Sequence, residues 1–177
     1  MTQMPATPDE PLAHAAAERP GELLDRFLAR LVDGVLLGVV YALLSQVIGS
    51  MLLTGFIYSR GELFVYYLVT LVLFTAISIG YFAFLESSRG QTVGKMLLKL
   101  KTVGPDGGNP NMEQAIRRNI MYAASLIGIV PVVGLWLGPL VSLAVVVLIA
   151  VGINNDAVKR QGWHDKFAGG TEVRKIG

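Results

Sequence analysis

The chain contains no cysteine, an absence that removes disulfide frameworks, thiolate metal sites and cysteine nucleophiles together. Histidine is nearly as scarce, with only His14 and His164. No second cluster completes a coordination sphere around either, and no Ser-His-Asp arrangement can be built. The expectation is therefore no metal, no cofactor and no enzyme. Charge is the third shortage. Asp, Glu, Lys and Arg make up 16% of the 177 residues, while hydrophobic residues make up 53%. Soluble domains average about 25% charged residues, so this chain lacks the polar surface of a water-soluble globule. The balance of 15 Lys/Arg against 13 Asp/Glu excludes an overall basic nucleic-acid binder and an acidic disordered chain. A membrane protein remains, with the lipid bilayer as its first partner and no nucleic acid.

The uncharged runs give the organisation. Residues 1–22 are polar or small and rich in proline, and read as a flexible cytoplasmic tail. Then 26 residues without charge separate Asp33 from Arg60, 23 separate Glu62 from Glu86, and 37 separate Arg118 from Asp156. A span needs about 20 apolar residues, so the first two runs predict one helix each, at about 26–52 and 62–86. The third run is too long for one crossing. Its middle, Pro131-Val-Val-Gly134-Leu-Trp-Leu-Gly138-Pro139, is turn punctuation, and it predicts a hairpin of two spans at about 114–131 and 134–153. An interfacial helix at 113–130, leaving three spans, is the alternative. Charge asymmetry favours four, because 14 of the 15 basic residues then share one side. In that arrangement Arg117 and Arg118 have to snorkel toward the headgroups. The fold class is thus an all-α membrane protein with four transmembrane helices. Its membrane domain is 23–173, overlapping a cytoplasmic C-terminal segment at 154–177, and both termini face the cytoplasm of a cell whose plasma membrane holds it.

Arg26, Arg30 and Asp33 open the first span on one narrow helical face. Asp33 lies two turns beyond Arg26, inside the hydrocarbon, where a carboxylate costs roughly 2.5–3.5 kcal/mol at the centre. It reads either as an ion or proton ligand in a pathway or as part of an ion-pair lock with Arg26 and Arg30. Gly34 and Gly38 continue beside them in the spacing of a helix-packing face.

The loop after the second span runs Gly90-Gln91-Thr92-Val93-Gly94-Lys95-Met96. A phosphate loop needs four residues between its glycines and Ser or Thr after the lysine, and this one has neither. Leu98 to Val103 alternates apolar and polar, and Gly104 to Pro110 turns it. A small β-hairpin or a surface loop fits, with its lysines on headgroups or solvent. Gln161-Gly-Trp163-His164-Asp165 reads as a polar anchor docking on the cytoplasmic helix ends, with Trp163 at the interface.

These motifs together resemble the RDD family of membrane proteins, named for an arginine and two aspartates, over roughly Leu24 to Val173. The similarity rests on Arg26-x-x-Ala29-x-x-x-Asp33, then Gly90-x-Thr92-x-Gly94-Lys95 followed by Asp106-Gly107, then His164-Asp165 ahead of Thr171. It implies that Arg26, Asp33 and Asp165 are the naming residues. Transport, including cation–proton exchange, is the role suggested for members. Two functional readings are open. One is a small transporter or transporter subunit for an ion or small solute, acting as a homo-oligomer with Asp33 as its coupled group. The other is a non-transporting accessory or scaffold protein of a membrane complex, with Arg26, Arg30 and Asp33 as structure.

Overall fold

A computed structural model describes residues 19–53, 55, 57–130 and 133–177. The tail at 1–18, with His14, and Pro131 in the expected turn lie outside the described residues. Two helices of equal length come first, α1 (Leu23–Leu52) and α2 (Arg60–Arg89). A capping box starts α2, in which Ser59 accepts from the Glu62 N–H and Glu62 accepts from the Ser59 N–H. Gly90 closes it in the left-handed conformation at φ 70°. The chain continues through α3 (Val93–Leu97), strand β2 (Leu100–Val103) and α4 (Met112–Asn119) into a 3-10 helix over Ile120–Ile129. Then come α5 (Val133–Asn155), α6 (Trp163–Phe167) and β3 (Glu172–Lys175). Ahead of α1, Arg19–Pro20 forms β1.

Three helices among the described residues are long and apolar enough to cross a membrane: Leu23–Leu52, Arg60–Arg89 and Trp136–Asn155. The stretch expected to be the third of four spans is not one long α-helix. Its first part is the amphipathic α4, whose Asn111–Gln114 capping box anchors it, and its second part is 3-10. The whole stretch runs back along α2. The Asn119 side-chain amide donates to Glu86 at 3.0 Å, Tyr122 stacks on Phe82 with ring centroids 5.0 Å apart, Ser125 bonds Thr75 at 2.9 Å, and Gly128 lies against Tyr67 and Leu71. Gly134 then meets Gly128 so closely that a Cβ would stand 2.6 Å from the Gly128 Cα, and α5 returns beside it.

The expected β-hairpin is replaced by a longer-range sheet. β2 pairs antiparallel with β3 in the register Lys101↔Arg174, and β1 pairs on the other edge of β3 through Pro20↔Arg174. The turn after β2 leads into α4, so β2 has no partner across it; its alternating pattern is satisfied by the C-terminal strand instead. The inward residues Leu100 and Val173 are sealed against Ala29 of α1. The sheet therefore seats the C-terminal segment and residues 19–20, the end of the expected tail, on the start of the first helix. Gly34 and Gly38 point elsewhere. Both are exposed, and a Cβ on either would meet nothing within 4 Å. Asp33 and Leu37 hold the inward face one residue earlier, so the small-residue face packs on no other described helix of this chain.

Candidate functional site

Most of the buried charge collects where α1 begins, α2 ends, and α3, α4 and α6 meet them. Asp33 is wholly buried and accepts from the Tyr81 hydroxyl at 2.8 Å, the Thr92 hydroxyl at 2.6 Å and the Gly94 N–H at 2.8 Å. It makes no ion pair with Arg26 or Arg30 within 4 Å among the described residues. Its role is to tie α1 to the start of α3, whose N-cap is Thr92. The tie needs close approach. A Cβ on Gly94 would overlap the Ala29 carbonyl, so the alanine and the glycine let the two helices touch.

Arg26 reaches across the molecule. Its Nε donates to the Gly21 carbonyl at 3.1 Å, Nη2 to the Val173 carbonyl at 3.4 Å and Nη1 to Asp165 at 3.2 Å. Asp165, also wholly buried, takes Arg118 Nη2 at 3.1 Å and the Gly162 N–H at 3.0 Å. Burial pushes the Asp165 carboxyl up, but Arg118, His164 and Arg26 together hold it below the ordinary aspartate range. His164 sits 4% exposed beside it, and burial, reinforced by the three nearby arginines, pushes its imidazole down to about 4. It is neutral at pH 7.

Glu86 forms the second anionic centre. Lys95 donates to it in a very short contact, and Arg118 Nε and Arg30 Nη2 lie at 3.7 and 3.8 Å. Lys95 also donates to the Thr102 hydroxyl at 2.6 Å. Burial, with Arg118 and Arg30, pushes the Lys95 ammonium well below its ordinary range against the pull of Glu86. Lys95, expected only as a family-motif position, thus lies in a buried pair. Arg30 lays its guanidinium 3.9 Å over the Phe82 ring and donates to Tyr122 and Asn119 at 3.1 and 3.0 Å. The three charges on the opening face of α1 thus have different partners: Arg26 turns to α6 and β3, Arg30 to α2, α4 and the 3-10 helix, and Asp33 to α2 and the start of α3.

A model of the RDD family matches residues 20–169. The chain belongs to the RDD family. It is also similar to the uncharacterized protein YxaI of Bacillus subtilis (strain 168), at 29% identity over 119 residues, 61% of this chain and 79% of that protein. No solved structure matches.

In this RDD protein the three signature stretches meet in one buried network, with Asp165 joining the third to the first across 139 residues. Gly90 also serves the network. A Cβ there would stand 2.8 Å from both the Thr102 carbonyl and the Asn109 side chain. Reasoning from sequence missed Glu86, Arg118, Asn119 and Tyr81. Glu86 and Arg118 each bound an uncharged run, the same signal that drew attention to Asp33, yet they read as run ends. Arg118 does not snorkel; it is 2% exposed, whereas Arg117 pairs with Glu113 at the surface at 2.5 Å. Among the described residues no group of three or more His, Cys, Asp or Glu side chains converges to hold a metal.

The network also floors a cavity of about 900 Å³ between α1, α2, the 3-10 helix and α5. Arg26, Arg30, Lys95, Arg118 and His164 line one end, and Tyr41, Leu71 and Phe74 line the other.

Proposed function

We propose that this RDD protein is a non-transporting accessory or scaffold protein of the plasma membrane, in which the arginine–aspartate network fastens a cytoplasmic cap to the membrane helices. The observation that carries the reading is the environment of Asp33. A carboxylate that exchanges an ion or proton with a pathway needs a face open to it. Asp33 has none, and its two oxygens are taken by three interior donors. The working unit is a homo-oligomer or a complex with another membrane protein, and no catalytic role belongs to it.

The same reading has the chain cross the bilayer four times with both termini in the cytoplasm. The ladder of contacts from Glu86–Asn119 to Tyr67–Gly128 supports it, because a segment antiparallel to a spanning helix over that distance shares its depth. Membership of the cytoplasmic side follows from the basic residues gathered at one end.

A small transporter for an ion or solute is the second reading, favoured by the cavity beside the network. Reconstituted vesicles separate the two. The scaffold reading expects no pH-gradient-driven cation or solute flux above that of empty vesicles, and an Asp33→Asn chain that still folds. A flux present in the wild type and abolished by Asp33→Asn, with the oligomeric state intact, establishes transport instead. Arg30→Gln is not expected to rescue any Asp33 variant, since the two side chains serve different partners.

A further inference from the structure

The cavity has an end the protein leaves unfinished. Arg118 is 2% exposed and lines it, and its Nε and Nη1 donors have no hydrogen-bond partner among the described residues. Buried guanidinium donors are ordinarily satisfied, since an unmade bond to a charged group is costly. Two more guanidiniums, Arg26 and Arg30, line the same end. An anion supplies the missing acceptors and is favoured by these charged neighbours.

The rest of the cavity says what the anion is attached to. The lining touches α1 from Leu23 to Leu31 and again at Tyr41, about 22 Å along the helix from Arg26 at about 1.5 Å per residue, more than the ~15 Å depth of one leaflet. Beyond the charged end it is mainly aliphatic and aromatic. Leu24, Phe27 and Val146 line it while remaining exposed, so it opens sideways between α1 and α5 where a bilayer would lie. We propose that this cavity holds one anionic phospholipid, its phosphate on Arg118 and an acyl chain along α1 and α5. The site goes beyond the scaffold reading and does not depend on it.

The test is lipid retention by the full chain, extracted from vesicles of phosphatidylcholine with one fifth phosphatidylglycerol and weighed by native mass spectrometry. The wild type is expected to keep one phosphatidylglycerol per chain in preference to phosphatidylcholine. Arg118→Gln should weaken retention about tenfold or more, each factor of ten corresponding to 1.4 kcal/mol, and Arg118→Lys should restore part of it. Because Arg118 also holds Asp165, a second variant fills the apolar shaft away from the charges. Ala150→Phe should keep the fold and lose the lipid. Equal retention of the neutral lipid, or retention unchanged by Ala150→Phe, overturns the proposal. Full displacement by millimolar inorganic phosphate also overturns it, in favour of a free-anion site.

Discussion

Replacing Asp165 by asparagine keeps the shape of the side chain and its acceptor for the Gly162 N–H, but removes the charge that Arg26 and Arg118 share. Those guanidiniums lie at 3.2 and 3.1 Å, 8% and 2% exposed, so water cannot take the place of the lost carboxylate. Breaking a buried pair by removing one partner costs about 3–5 kcal/mol, because the other charge stays buried. Among the described residues Arg26 is then left with no carboxylate and Arg118 with only Glu86 at 3.7 Å, so the upper half of that range applies. At about 2–4 °C per kcal/mol for a chain of this size, the midpoint of thermal unfolding in detergent should fall by roughly 8–20 °C. The double variant Asp165→Asn with Arg26→Gln should recover part of the loss, since a cycle over contacting residues is non-additive. Asp33→Asn is the contrast. Its three partners are neutral donors, and an amide can keep the bonds from Tyr81 and Gly94 while donating to Thr92, so a loss of about 1–2 kcal/mol is expected. If Asp165→Asn melts within about 2 °C of the wild type, the Asp165 pairs do not hold the cap, and the fastening argument fails with them.

The His164 imidazole, pushed down from 6.5 to about 4, makes the fold acid-sensitive. Between pH 6.5 and 4 the unfolded chain binds the proton and the folded one does not, so its contribution falls as pH falls, by about 3 kcal/mol over that window. His164→Gln should flatten the melting temperature against pH in that range, and an unchanged slope would place the acid sensitivity elsewhere. Gly94→Val, which drives a branched side chain into the Ala29 carbonyl, should cost several kcal/mol and expose the Lys95–Lys101 segment to limited proteolysis; protection equal to wild type would deny the close packing of α3 on α1. For topology, single cysteines at Arg60 and Lys166 in this cysteine-free chain should label from opposite sides of sealed vesicles, and labelling from one side would contradict a cytoplasmic cap.

Arg26, Asp33 and Asp165 could be read in advance because each is a charge at odds with its surroundings or sits in a dense local motif. What each one touches could not. Arg26 and Asp165 are 139 residues apart, and nothing local records that the first helix and the last short one share a buried pair. Proximity on one helical face suggested that Arg26, Arg30 and Asp33 bond each other. In the fold that face meets several other elements, and each charge finds a nearer partner there. β2 misled for a similar reason, since alternation specifies a strand but not its mate. The winding of the stretch at 114–131 was not legible either: Arg118 and Asn119 are bound to the network, and Ile120–Ile129 winds more tightly than an α-helix.

That tighter winding has a consequence for reach. The eight residues of α4 rise about 12 Å at about 1.5 Å each, and the ten 3-10 residues rise about 20 Å at about 2.0 Å each. Beyond Asn119 the 3-10 residues alone cover that ~20 Å, where the same ten residues wound as an α-helix would stop at about 15 Å. Each residue that passes from 3-10 to α winding shortens the segment by about 0.5 Å. On the four-span reading proposed above, this stretch, pinned at one end by Asn119 and turned back at the other by Gly134, is where the protein would meet bilayers of different thickness without shifting the network at its base.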